Sequence, residues 1–100
     1  MSTDDSGQET HRTYRVTLNP NAAKALDTLD NKIFEQIDRR ILELETDPRP
    51  ANSRKLAGPP HNLYRIRSGR FRIVYSVNDT ERTVLIVTVR KRNESTYKDL

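Results

Sequence analysis

Between Tyr64 and Tyr75 the chain runs Tyr64-Arg65-Ile66-Arg67, then Ser68-Gly69, then Arg70-Phe71-Arg72-Ile73-Val74-Tyr75. Basic and apolar residues alternate with period two on both sides of a small, flexible dipeptide, which is the pattern of a half-buried β-hairpin. A two-residue turn at Ser68-Gly69 sets Arg67 opposite Arg70, Ile66 opposite Phe71, Arg65 opposite Arg72 and Tyr64 opposite Ile73. Directly opposed residues share a face. One face then carries Tyr64, Ile66, Phe71, Ile73 and Tyr75, which belongs to a core; the other carries Arg65, Arg67, Arg70 and Arg72.

The flanking sequence says what that core face meets. Leu63–Arg67, Arg70–Val77 and Thr83–Arg92 are β-rich runs and predict a three-stranded antiparallel meander. Nearer the N-terminus, Tyr14, Val16 and Leu18 alternate with Thr13, Arg15 and Thr17, predicting a first strand that ends at Asn19-Pro20. Asn19 can cap a helix with Pro20 at its first position, carrying Ala22, Ala23, Leu26 and Leu29 along one side. Asp30 can cap a second, in which Ile33, Phe34, Ile37, Ile41 and Leu44 form an apolar stripe ending before Asp47-Pro48. The prediction is an α+β domain: an N-terminal strand and an αα-hairpin packed on a small antiparallel sheet. Residues 47–62 hold four prolines and read as a loop in which Leu56 is an anchor.

One hundred residues support a single domain, with 1–12 read as a disordered leader and 13–100 as the folded unit. There is no cysteine, and the two histidines are far apart, which excludes disulfides and thiolate zinc sites. No apolar run spans a bilayer and no signal peptide opens the chain, so the expectation is a cytoplasmic protein without metal, cofactor or membrane partner. The net charge of +4 is unevenly spread: residues 1–53 hold 7 Lys/Arg against 10 Asp/Glu, and residues 54–100 hold 11 against 4. The basic character therefore belongs to the half that forms the meander.

Like charges placed opposite one another weaken a sheet, so folding does not select an arginine face. Such a face is either a solvated exterior rich in arginine or a surface for a polyanion, since guanidinium grips phosphate bidentately and stacks on bases. The third run adds Arg90 and Arg92, of one parity, with Lys91 between them. Tyr97 lies five residues beyond Arg92 and is either a companion of that strand end or a surface aromatic. His61 reads as a loop residue before it reads as a catalyst.

The order of elements, with Lys55-Leu56-x-Gly58, the hairpin motif Tyr64 to Tyr75, and Lys91-Arg92 followed by Tyr97, resembles the RelE/ParE toxin superfamily of bacterial type II toxin–antitoxin systems. The resemblance runs from about Thr13 to Tyr97. For the RelE branch it implies a small ribonuclease that cleaves mRNA at the ribosome without a metal and is silenced by a cognate antitoxin. It implies that Arg72 holds the scissile phosphate, that Arg92 is a phosphate ligand or proton donor, and that Tyr97 orients the nucleotide. Arg65 and Arg67 fall on the basic pair before the turn. From their places on the arginine face, Arg90 is read as a further substrate contact and Arg70, beside the turn, as a peripheral one.

Two departures matter. The basic pair is arginine where the branch has lysine, and a guanidinium with pKa above about 12 is a poor general base. That leaves Lys91, if desolvated among arginines, then Tyr97, then His61 as candidates for proton abstraction. Arg90 also replaces a residue that is usually glycine. A second reading is a ParE-like protein that poisons DNA gyrase without nuclease chemistry; a third is a basic RNA-binding module or a decayed toxin that only binds the antitoxin.

Overall fold

The computed structural model describes residues 14–59 and 62–91. Its elements are β1 (Arg15–Leu18), α1 (Pro20–Asp27), α2 (Asn31–Glu43), β2 (Arg54–Lys55), β3 (Leu63–Ser68), β4 (Phe71–Asn78) and β5 (Thr83–Lys91). Both helices start where the sequence places their caps. The Asn19 side chain accepts hydrogen bonds from the Asn21 and Ala22 amides at 2.9 and 3.2 Å, and Asp30 accepts from the Ile33 amide at 2.9 Å.

The five strands form one sheet in the order β1-β5-β4-β3-β2. It is mixed rather than wholly antiparallel, because β1 pairs parallel with β5. Parallel neighbours need a crossover, and the αα-hairpin begins one on leaving β1. The Arg15 amide donates to the Arg82 carbonyl at 2.9 Å and the Asn19 amide to the Ile86 carbonyl at 3.0 Å, fixing that edge. Within the proline-rich stretch read as loop, β2 adds a two-residue strand, with Arg54 opposite Arg65 and Lys55 opposite Tyr64. The Leu56 amide donates to the Leu63 carbonyl, so Leu56 is tied through its backbone.

One face of the sheet is covered by the helices. Ala22, Leu26, Ile37, Ile41 and Leu44 meet Ile66, Ile73, Tyr75, Val77, Val84, Ile86 and Val89 in a continuous buried cluster. Each fully buried aliphatic side chain contributes roughly 1.5–3 kcal/mol, so this cluster is what holds the small domain together. The stripe of α2 runs along Ile33, Ile37, Ile41 and Leu44; Phe34 sits at its flank and is left 38% exposed. Among the described residues no helix is long and apolar enough to cross a membrane.

Candidate active site

The hairpin closes one residue later than the sequence suggests. Its turn residues are Gly69 and Arg70, with Ser68 opposite Phe71, Arg67 opposite Arg72, Ile66 opposite Ile73 and Tyr64 opposite Tyr75. Gly69 has φ +59° and Arg70 does not share that sign, the combination that a type II′ turn with glycine at its first central position requires. Moving the turn by one residue moves each partner by two, so every side chain that stays paired keeps its face while changing its neighbour. Arg70 leaves the face and becomes an exposed turn residue.

A row of arginine follows from this register. Arg67 on β3 faces Arg72 on β4, and Arg72 faces Arg90 on β5, giving three guanidinium-bearing positions side by side on the surface away from the helices. Neighbouring strands lie ~4.8 Å apart, so the three charged side chains converge on one small area. Arg72, the middle one, is 8% exposed, whereas Arg67 and Arg90 are open to solvent. Two residues along the strands lies Arg65, opposite Val74 and, on its other side, Arg54.

The position of Arg90 depends on an irregularity. Val84 and Ile86 are buried against the helices, and uninterrupted alternation would turn Thr88 and Arg90 inward after them. Instead Tyr75 pairs with Ile86 and Val74 with Thr88, leaving Val87 without a partner in a β-bulge. Past the bulge Val89 points into the core and Arg90 points out beside Arg72.

Lys91 is not grouped with these arginines. Its partner is Phe71, on the helix-facing side of the sheet, and its own side chain is exposed, so among the described residues it lies off the face that carries Arg67, Arg72 and Arg90. Arg92, Tyr97 and His61 lie outside the described residues. Arg54 is the site residue that the sequence did not single out. The signal is the pair Arg54-Lys55, whose alternation is too short to stand out among prolines.

An open groove of about 510 Å³ runs along the arginine side, lined by Ala51, Asn52, Ser53, Arg54, Arg65 and Arg67. Its loop wall is pinned from below. The Tyr75 hydroxyl, fully buried, donates to the Pro48 carbonyl at 2.8 Å, and burial pushes its pKa up to about 12. The Ser53 hydroxyl and amide both donate to the Pro50 carbonyl, at 2.7 and 2.9 Å. Tyr64, half-buried rather than in the core proper, stacks on Tyr75 at 5.9 Å between centroids and accepts from Arg49 Nε at 3.0 Å.

Arg49 continues to Asp79 at 2.7 Å, and the Tyr14 hydroxyl donates to the same carboxylate at 2.6 Å. Arg49, then Tyr14, hold the Asp79 carboxyl below its usual range, and the hydrogen bond to Asp79 raises the Tyr14 hydroxyl. This clasp joins the first strand, the proline-rich loop and the β4–β5 turn, so the Arg49 charge is spent on structure. The groove and the row place guanidinium groups on the face away from the helices, and what such groups can do chemically is bind a chain of phosphates and stabilise extra negative charge on one of them.

Comparison with known proteins gives this arrangement a lineage. The family described as the ParE toxin of type II toxin-antitoxin system, parDE, matches residues 16–96. The mRNA interferase toxin RelE of Escherichia coli K12 is 32% identical over 84 residues, covering 82% of this chain and 86% of that protein. Among solved structures, the archaeal RelE–RelB complex from Pyrococcus horikoshii OT3 superposes with a TM-score of 0.72 at 31% identity, covering 81% of this chain and 97% of that one. The intact E. coli RelBE toxin–antitoxin complex gives 0.68 at 32% identity, covering 80% and 98%. With the fold, the arginine-bearing hairpin and these relatives in agreement across four fifths of its length, the chain belongs to the RelE/ParE toxin superfamily of type II toxin–antitoxin systems.

Proposed function

We propose that this protein is the toxin of a type II toxin–antitoxin pair and acts as an endoribonuclease on mRNA at the ribosome, arresting translation in the cytoplasm until a cognate antitoxin silences it. The observation that carries the reading is the Arg67–Arg72–Arg90 row, three like charges held side by side on the outer face of the sheet. Like charges on neighbouring strands weaken a sheet, whereas guanidinium groups in that arrangement suit a phosphodiester, which they bind bidentately. The relatives named mRNA interferases support the same reading.

In the reaction the 2′-oxygen of one nucleotide attacks its own 3′-phosphate. The new 2′-O–P bond forms, the P–O5′ bond breaks, the 2′-proton passes to a base and the departing 5′-oxygen takes up a proton from Arg92, leaving a 2′,3′-cyclic phosphate that water opens to a 3′-phosphate. Arg72 and Arg92 stabilise the charge of the phosphorane, and Arg65, Arg67 and Arg90 hold the strand on either side. With Lys91 on the other face of the sheet, the 2′-proton passes to Tyr97 in its phenolate form, which also orients the nucleotide. The arginines make the step electrostatic in the main, with proton abstraction the smaller contribution.

A gyrase poison would share the fold and need no phosphate-cleaving row. Brief induction of the chain in cells, followed by primer extension on abundant transcripts and by assay of trapped gyrase–DNA complexes, separates the two. Codon-phased breaks in mRNA are expected; intact transcripts with trapped gyrase would replace the nuclease reading by the gyrase one.

A further inference from the structure

Arg54 faces Arg65 across the edge of the sheet, one step of two residues away from the Arg67–Arg72–Arg90 row and on the same side of it. Two residues of strand span ~6.7 Å, a step of the kind that separates successive phosphates in an extended nucleic-acid chain. Arg54 is exposed, and among the described residues no carboxylate lies within ion-pair distance of it. Asn52 and Ser53, next to Arg54 in the chain, line the same groove with Arg65 and Arg67, in a loop held by the Ser53 hydrogen bond to the Pro50 carbonyl and by that of Tyr75 to Pro48. A loop tied by its own hydrogen bonds beside two like charges is preorganised for an anion.

We propose that this groove is a second phosphate site, in which Arg54 and Arg65 clamp the phosphodiester next to the one held by Arg67, Arg72 and Arg90. The inference rests on the cleavage reading for the identity of the first phosphate, and it adds what the strand must be: single-stranded RNA with at least two consecutive phosphates. A substrate with one phosphate engages the first row alone. Arg54 is a positioning residue on this account: it touches the strand away from the reacting atoms, so its loss raises KM and leaves kcat nearly unchanged.

The test uses 2′-O-methyl oligonucleotides, which cannot be cleaved, without terminal phosphates: a dinucleotide with one phosphate and a trinucleotide with two, titrated calorimetrically onto the purified chain. The wild type should bind the trinucleotide about tenfold more tightly, the effect of one charge-assisted phosphate contact. Arg54→Ala should erase that gain and leave the dinucleotide untouched, while Arg54→Lys keeps part of it. On a longer strand, the slope of log affinity against log salt should fall by about 0.7 for one lost contact. If Arg54→Ala leaves the trinucleotide gain intact, or weakens both ligands equally, the second site is refuted. The cleavage reading fails separately: Arg72→Ala that spares dinucleotide binding, with the Arg54-dependent gain still present, would remove the first row from the chemistry and leave the second standing. A wild type that binds neither ligand overturns both.

Discussion

Replacing Tyr75 with phenylalanine removes one oxygen from the centre of the molecule. The ring is fully buried and stacked on Tyr64, so Tyr75→Phe leaves no cavity and keeps the aromatic contact. What it takes away is the 2.8 Å hydrogen bond to the Pro48 carbonyl, and a buried acceptor left without its donor costs about 1–1.5 kcal/mol. In a domain of this size that lowers Tm by roughly 4–10 °C. The same hydroxyl carries a pH dependence of opposite sign. Burial raises its folded-state pKa to about 12 from an ordinary value near 10, so the fold favours the protonated form. Its contribution is fully present below pH 10 and is lost as pH rises through 12, by about 1.4 kcal/mol at pH 11. The wild type should therefore be more stable than Tyr75→Phe at neutral pH, and the two curves should meet near pH 11. Urea denaturation of both proteins between pH 7 and 11 reads this directly, because the titration of all other groups cancels in the difference. A difference that stays constant over that range would refute the placement of a buried, neutral hydroxyl on Pro48.

Other expectations follow from the clasp and the bulge. Asp79→Asn weakens the hold on Tyr14 and Arg49 and should lower Tm at neutral pH. Because the folded-state pKa of Asp79 is depressed, the wild-type advantage should persist above the usual carboxylate range and disappear as pH falls through the depressed value; thermal scans from pH 7 downward check this. Deleting Val87 removes the extra residue of β5 yet leaves Val89 opposite Ile73 and Arg90 opposite Arg72, so the variant should keep its fold and its affinity for RNA within about threefold. Loss of RNA affinity in a folded variant would show that the twist of the bulge, rather than the register, aims Arg90.

Much of this architecture can be read from the residues. Asn19-Pro20 and Asp30 start helices because their side chains satisfy amides that nothing else reaches, a local effect. The face of Arg65, Arg67 and Arg72 is legible because period two survives a shift of the turn; which arginine meets which is not, since that depends on whether Ser68 or Gly69 takes the first central position. The bulge is hidden for a different reason: Val84 to Val89 is nearly all apolar, and a run without alternation carries no mark of where it slips. The parity of Arg90 against Lys91 is legible, but that Arg90 meets Arg72 depends on the bulge. Arg54 escapes because a two-residue strand gains its partner from the sheet and not from its own sequence.

The central claim is that the Arg67–Arg72–Arg90 row stabilises the transition state of RNA cleavage, and it is tested most directly at Arg72. Single-turnover cleavage of an mRNA on programmed ribosomes by the wild type and by Arg72→Ala, with circular dichroism and antitoxin binding as controls for the fold, gives the answer. The expected rate in the variant is lower by about 10²–10³, with antitoxin affinity unchanged and wild-type products ending in cyclic or 3′-phosphate. A folded Arg72→Ala protein that cleaves at the wild-type rate would contradict it.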